Sequence, residues 1–156
     1  MDLMLALAAL AEGSALGRMA RASVWLYPAA NLAHVLGAAL MVGAIATFDI
    51  AVLRRMPAAR AVVRAGIPVA STGLVLLVAS GIVLFVAEAG PLVRNVVFLS
   101  KLGFIALGIL NLALFHLAFS GALRRGEMPK GARTYAVLSL AAWTATLLLG
   151  RGIAYV

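Results

Sequence analysis

Within otherwise apolar stretches of this 156-residue chain stand a few side chains that can do chemistry: Asn31, His34 and Asp49, then Lys101, Asn111 and His116, and finally Arg151. Imidazole ligates haem iron and other metals, lysine and arginine pair with carboxylates such as haem propionates, and a carboxylate beside a histidine can relay protons. Ionisable groups are expensive inside a bilayer, so each should face the protein interior or a partner. There are no cysteines, which removes disulfides, thiolate metal sites, iron–sulfur clusters and thiol catalysis.

Helical spacing says which of these groups can meet. His34 and Asp49 are fifteen positions apart, which places them about 60° from one another on one face and about 22 Å apart along the axis. Asn31, Ala38, Met41 and Ile45 share that stripe. Lys101 and His116 repeat the same separation, with Gly108 and Leu112 between them. Counting back from the nearest basic pair, His34 lies twenty residues from Arg54 and Lys101 twenty-three from Arg124, a depth difference of only about 5 Å. Arg151 lies eighteen residues from Arg133 and joins the same layer. His34, Lys101 and Arg151 therefore form one expected cluster, with Asn31 beside it. Asp49, His116 and Asn111 form a second, nearer the basic ends.

The first cluster suits a redox cofactor: a b-type haem with His34 as axial ligand and Lys101 or Arg151 on its propionates, or a quinone. Joining His34 to His116 in a bis-histidine haem is not expected, because the depth count separates them by about 18 Å. The second cluster suits a proton or ion path. Plainer roles stand beside these: His34 as an interhelical hydrogen-bonding group, Asp49 and His116 as a structural pair near the inner interface, Lys101 and Arg151 as cations snorkelling to an interface. No phosphate loop, dinucleotide fingerprint, HExxH or nucleophile elbow occurs, and a self-sufficient enzyme is not expected.

The elements that must position these residues are membrane-spanning helices. Hydrophobic residues make up 65% of the chain and charged residues 12%, against about half and about a quarter in soluble domains. A small globule cannot hide that excess. Hydropathy and punctuation predict a single all-α membrane domain, residues 1–156, a four-helix bundle with spans near 25–53, 65–87, 95–119 and 134–153. Trp25, Tyr27, Tyr135 and Tyr155 supply interfacial aromatics, and Pro28 falls in a first helical turn. Residues 3–22 predict an amphipathic helix along the interface; their apolar run is too short to span, and the acidic Asp2 with no basic n-region argues for a retained segment. Small residues at Gly37, Gly43, Gly73, Gly81 and Gly108 predict close helix approach.

The net charge of +8 is spread between apolar runs, not gathered on one face, which points to membrane flanks and away from nucleic acid. Arg54, Arg55, Arg60 and Arg64 follow the first span, and Arg124, Arg125, Lys130 and Arg133 follow the third. By the positive-inside rule both loops are cytoplasmic, and both termini lie outside.

The stretches WLYPAANLAHVLGAALMVGAIATFDIAVLRR, FLSKLGFIALGILNLALFH and GRGIAY resemble a family of small bacterial inner-membrane proteins of unknown function. The recurrent features of that family match His34, Gly37, Asp49, Lys101, Asn111, Gly150, Arg151 and Tyr155. The resemblance implies four spans in a bacterial inner membrane and no particular reaction. A histidine followed by glycines in a short bundle is also loosely similar to membrane cytochrome b subunits and copper-handling membrane proteins. The leading expectation is a membrane subunit or anchor of a respiratory or other redox assembly, surrounded by lipid and by other subunits or copies of itself. The alternatives are a small transporter or permeation subunit using Asp49 and His116, and a purely structural bundle.

Overall fold

The computed structural model describes residues 2–57, 59–125, 129 and 131–155. Within the basic loops, residues 126–128 and Lys130 lie outside the described residues, as do the side chains of Arg60, Arg124 and Arg125. The described chain is helical, with α1 (Asp2–Glu12), α2 (Ala15–Ala22), α3 (Leu26–Leu53), α4 (Ala59–Ala87), α5 (Ala89–Arg94), α6 (Val96–Arg125) and α7 (Ala132–Gly152), and a closing 3-10 turn, Ile153–Tyr155. Four of these, α3, α4, α6 and α7, are long and apolar enough to cross a membrane. Large apolar side chains such as Leu36, Val75, Leu107, Leu117 and Leu148 are exposed along them. Lipid is the solvent that such surfaces need, and the chain is a multi-pass membrane protein.

The spans pack as two antiparallel hairpins, α3 on α4 and α6 on α7, joined through α3 and α7. In the first hairpin the backbones touch. A Cβ placed on Gly73 would stand 2.5 Å from the Met41 nitrogen and 2.7 Å from the Gly37 oxygen, and one on Gly37 would stand 2.8 Å from the Gly73 oxygen. In the second, the Trp143 indole lies against Gly108, within 3.0 Å of where a Cβ would be. Where α3 meets α7, the latter presents Ala132, Ala136, Ser139, Ala142 and Thr146, all buried and spaced by three or four residues. Gly43, expected at a close contact, has nothing within 4 Å of its Cβ position.

Helix ends differ from expectation where polar residues extend a helix beyond its apolar core. The second span begins at Ala59, and Arg64 belongs to its first turns despite Pro68 inside the helix. The carbonyl that loses its partner to Pro68 is that of Arg64, an exposed residue at the basic end where water can reach. Between α4 and α6 the expected loop folds instead as α5, after which the Asn95 side chain accepts a hydrogen bond from the Phe98 nitrogen at 3.0 Å. The turn after α3 is a Schellman closure: Met56 N bonds Ala51 O at 2.9 Å, Arg55 N bonds Val52 O at 3.1 Å, and Arg55 takes φ 53°.

The N-terminal segment is two helices bent by 61°, where one interfacial helix was expected. Gly13 ends α1, and the Ser14 hydroxyl caps α2 through the Gly17 nitrogen at 3.1 Å. Amphipathic character resides in α2, with Arg18 and Arg21; on α1, Leu3, Leu7 and Leu10 are exposed and the exposed face is apolar. The pair docks at the end of the bundle opposite the basic loops, hereafter the far end. There Arg21 donates to the Ala87 carbonyl at 3.2 Å and the Glu12 carbonyl at 2.7 Å. The Glu12 carboxylate accepts from the Gly90 nitrogen at 2.7 Å. A cation thus meets the last carbonyls of α4, and an anion meets the first amides of α5, as helix dipoles favour. The Tyr27 side chain hydrogen-bonds Glu88, tying the start of α3 to the same corner.

Gly73→Ala is expected to lower stability by about 1–3 kcal/mol, because α3 and α4 must separate to admit the methyl group. Gly103→Ala, whose Cβ would meet nothing within 4 Å, is expected to leave it unchanged or slightly raised. Thermal unfolding of both variants in one mild detergent checks the contrast.

Candidate functional site

All four spans contribute to a polar centre in the far half of the bundle. His34 extends from α3, three residues N-terminal to Gly37 of the hairpin contact. Its Nδ1 lies 3.0 Å from the Ser80 hydroxyl of α4. The Leu77 carbonyl is a further partner of the ring. Ser80 donates its own proton to the Leu76 carbonyl, so its oxygen is left to accept. With the Ser80 oxygen accepting from Nδ1, that nitrogen carries the proton, and the lone pair of the neutral ring sits on Nε2. The ring edge rests against Gly81, whose Cβ would stand 3.2 Å from Cε1. Lys101 of α6 lies close enough for its ammonium to act on the His34 charge. Its stem runs past Gly150 of α7, where a Cβ would stand 3.6 Å from Cε and Nζ. The centre therefore offers an oriented imidazole lone pair and a cation, in apolar surroundings.

Arg151 does not complete this cluster. It is exposed, and its guanidinium stacks over the Tyr155 ring at 4.6 Å, while its neighbour Gly150 makes the approach to Lys101. Asn31 is exposed on α3. Among the described residues no group of three His, Asp or Glu side chains is placed to hold a metal ion.

The second expected cluster is also split. Asp49 is only 4% exposed, on the face of α3 that meets α7, where the Ser139 side chain hydrogen-bonds it. Among the described residues its Oδ2 has no hydrogen-bond partner. His116 is exposed on α6, its Nδ1 directed to the Leu112 carbonyl of its own helix at 2.9 Å. Asn111 spends an amide proton on the Tyr135 carbonyl at 3.0 Å, clipping α6 to α7. The structure does not bring His116 or Asn111 to the carboxylate. What lies near Asp49 instead is an apolar and aromatic plug at the basic end: Val52 and Phe115 at its core, with Phe48, Phe119 and Tyr135 packed on it. Phe115, Phe119 and Tyr135 meet pairwise at 5.4–5.7 Å between ring centres.

Two partners were missed by sequence reasoning, Ser80 and Ser139, because serine in an apolar helix draws no attention by type. The same depth count would have found both. Ser80 lies twenty residues from Arg60, as His34 does from Arg54, and Ser139 lies six from Arg133, where Asp49 lies five from Arg54.

Removing the hydroxyl in Ser80→Ala is expected to cost about 1 kcal/mol and to release the imidazole from its fixed tautomer. Nitrogen-15 NMR of labelled histidine should show the His34 signals changing from one tautomer to an average of two, with His116 unaffected.

Against this geometry, comparison of the chain with protein-family models, curated proteins and solved structures finds no match in any of the three. The chemistry of the site must be read from its own residues.

Proposed function

We propose that the chain is a membrane subunit or anchor of a redox assembly, and that its His34–Lys101 centre holds the cofactor, a b-type haem or a quinone head group. The observation that carries this reading is an imidazole held by Ser80 between α3 and α4, on whose charge the ammonium of Lys101 acts from α6, with the lysine stem against Gly150 of α7. The residues present fit either group. For haem, Nε2 of His34 is the free nitrogen for iron, Nδ1 is held by Ser80 as ligating histidines commonly are, and Lys101 suits a propionate. The exposed His116 lies toward the basic end, away from this centre, so His34 is the histidine of this chain that would hold the iron. For a quinone, the Lys101 ammonium would serve as donor and Nε2 of His34 as acceptor toward the head group. When bound, either group supplies electron transfer; His34, Ser80 and Lys101 bind and orient it.

The chain belongs, on this reading, in a bacterial inner membrane with both termini periplasmic. The segments at one end of the bundle carry eight Lys and Arg residues by sequence, the exposed Arg54, Arg55, Arg64 and Arg133 among them, while the far end carries Arg18, Arg21, Arg94 and Arg151 beside Glu12 and Glu88. That asymmetry supports cytoplasmic placement of the basic end.

The absorption spectrum of protein purified in mild detergent, oxidised and then reduced with dithionite, tests the cofactor, together with organic extraction for quinone. A Soret band that shifts on reduction, or a bound quinone, is expected, and either should be lost in His34→Ala. A colourless preparation with no extractable quinone overturns the reading.

Orientation is checked separately, since the chain has no cysteine of its own. In intact cells, Leu92→Cys is expected to react with a membrane-impermeant maleimide reagent and Met56→Cys only after lysis; the opposite pattern reverses the topology.

A further inference from the structure

Asp49 is the one carboxylate within a span, and the cofactor centre makes no use of it. It is 4% exposed, and among the described residues Oδ2 has no hydrogen-bond partner. A buried carboxylate anion is tolerated only when cations or several donors compensate it. From α7, the Ser139 hydroxyl is the single group among the described residues that acts on the Asp49 charge. Tyr135, on the same helix, belongs to the aromatic plug, and Arg133 is exposed. From α4, Arg64 is exposed; on α3 itself, Arg54 and Arg55 are exposed beyond the helix end. From α6 comes the Phe115 ring in that plug, while His116 is exposed and bonded to its own helix. One hydroxyl does not compensate a full charge.

We infer that Asp49 is a proton-binding site: its carboxyl carries a proton in the bundle core, with Ser139 as its partner, and exchanges it with the aqueous side next to Arg54 and Arg55. A proton on Oδ2 turns an uncompensated anionic oxygen into a neutral hydroxyl. Arg54, five positions further along α3, sets the path to that side at about 8 Å of helix rise. The site uses none of the residues of the proposed cofactor centre, so either can fail without the other.

Dicyclohexylcarbodiimide, an apolar reagent selective for neutral carboxyls, reads the proton directly. The carboxyl proton adds to a carbodiimide nitrogen as the oxygen bonds the central carbon, and an O-to-N acyl shift gives a stable N-acylurea with no leaving group. The full-length protein in mild detergent is treated across a pH series, and the adducts are mapped by peptide mass spectrometry. Modification at Asp49 in preference to Glu12 and Glu88 is expected, falling by about tenfold per pH unit above its midpoint. Labelling that ignores pH overturns the inference. If the reagent leaves Asp49 untouched, infrared spectroscopy decides: a protonated-carboxyl band present in the wild type and missing from Asp49→Asn upholds the site, and identical spectra refute it.

Discussion

The contact between the Gly37 and Gly73 backbones is the constraint on which the other arrangements depend. With a Cβ position on one helix only 2.5–2.8 Å from backbone atoms of the other, no residue but glycine keeps α3 and α4 this close. In lipid no hydrophobic effect drives helices together, and dispersion between closely fitted surfaces must do so. That closeness has a chemical consequence. His34 stands one turn from Gly37, and Ser80 two turns from Gly73, on helices running in opposite directions. An imidazole reaches a serine across a seam at 3.0 Å because glycine at both contact positions lets the two backbones close on each other. The hydrogen bond that orients the ring is thus a product of two glycines.

The second seam works by a graded version of the same device. On α7 the buried face is alanine, serine and threonine, so α3 approaches closely enough for a short aspartate to reach a short serine hydroxyl. The buried polar side chains of α7, Ser139 and Thr146, differ in what they do. Thr146 bonds the Ala142 carbonyl of its own helix at 2.9 Å and is self-sufficient. Ser139 reaches out to Asp49. Helix α3 therefore carries both candidate centres, with a different neighbour for each: α4 supplies the partner for His34, α7 the partner for Asp49. The aromatic rings at the basic end close over the second centre.

Much of this was legible in the sequence, and the reasons are physical. Span number followed from apolar run length, because about 20 residues must cover the hydrocarbon whatever the packing. The approach of Lys101 to His34 followed from depth, since helix rise is constant. What a depth count lacks is rotation. His116 has nearly the depth of Asp49, yet it is exposed on the outer side of α6, and Arg151 reaches the right layer but turns to Tyr155. The bend at Gly13 and Ser14 was hidden for another reason: a helix that breaks to cap itself and dock by Glu12 and Arg21 is fixed by partners some seventy residues away. Arg55 in the left-handed region is a similar case, since glycine is the usual signal for that closure.

The two centres lie on one helix about 22 Å apart by rise, and what separates them decides how they can act. Between His34 and Asp49 the buried face of α3 offers Gly37 and Met41, which carry no proton. The Thr146 hydroxyl and one amide proton of Asn111 are committed to backbone carbonyls. The described side chains thus form two polar islands and no chain of groups between them. Each island is then tied to its own surface: the imidazole and ammonium to the far end, where α1 and α2 dock, and the carboxyl to the basic end a turn and a half away. A bundle built this way can hold a redox group near one face and a proton near the other without short-circuiting them. Any coupling between the two must pass through movement of α3, the helix that the Gly37–Gly73 contact holds most firmly.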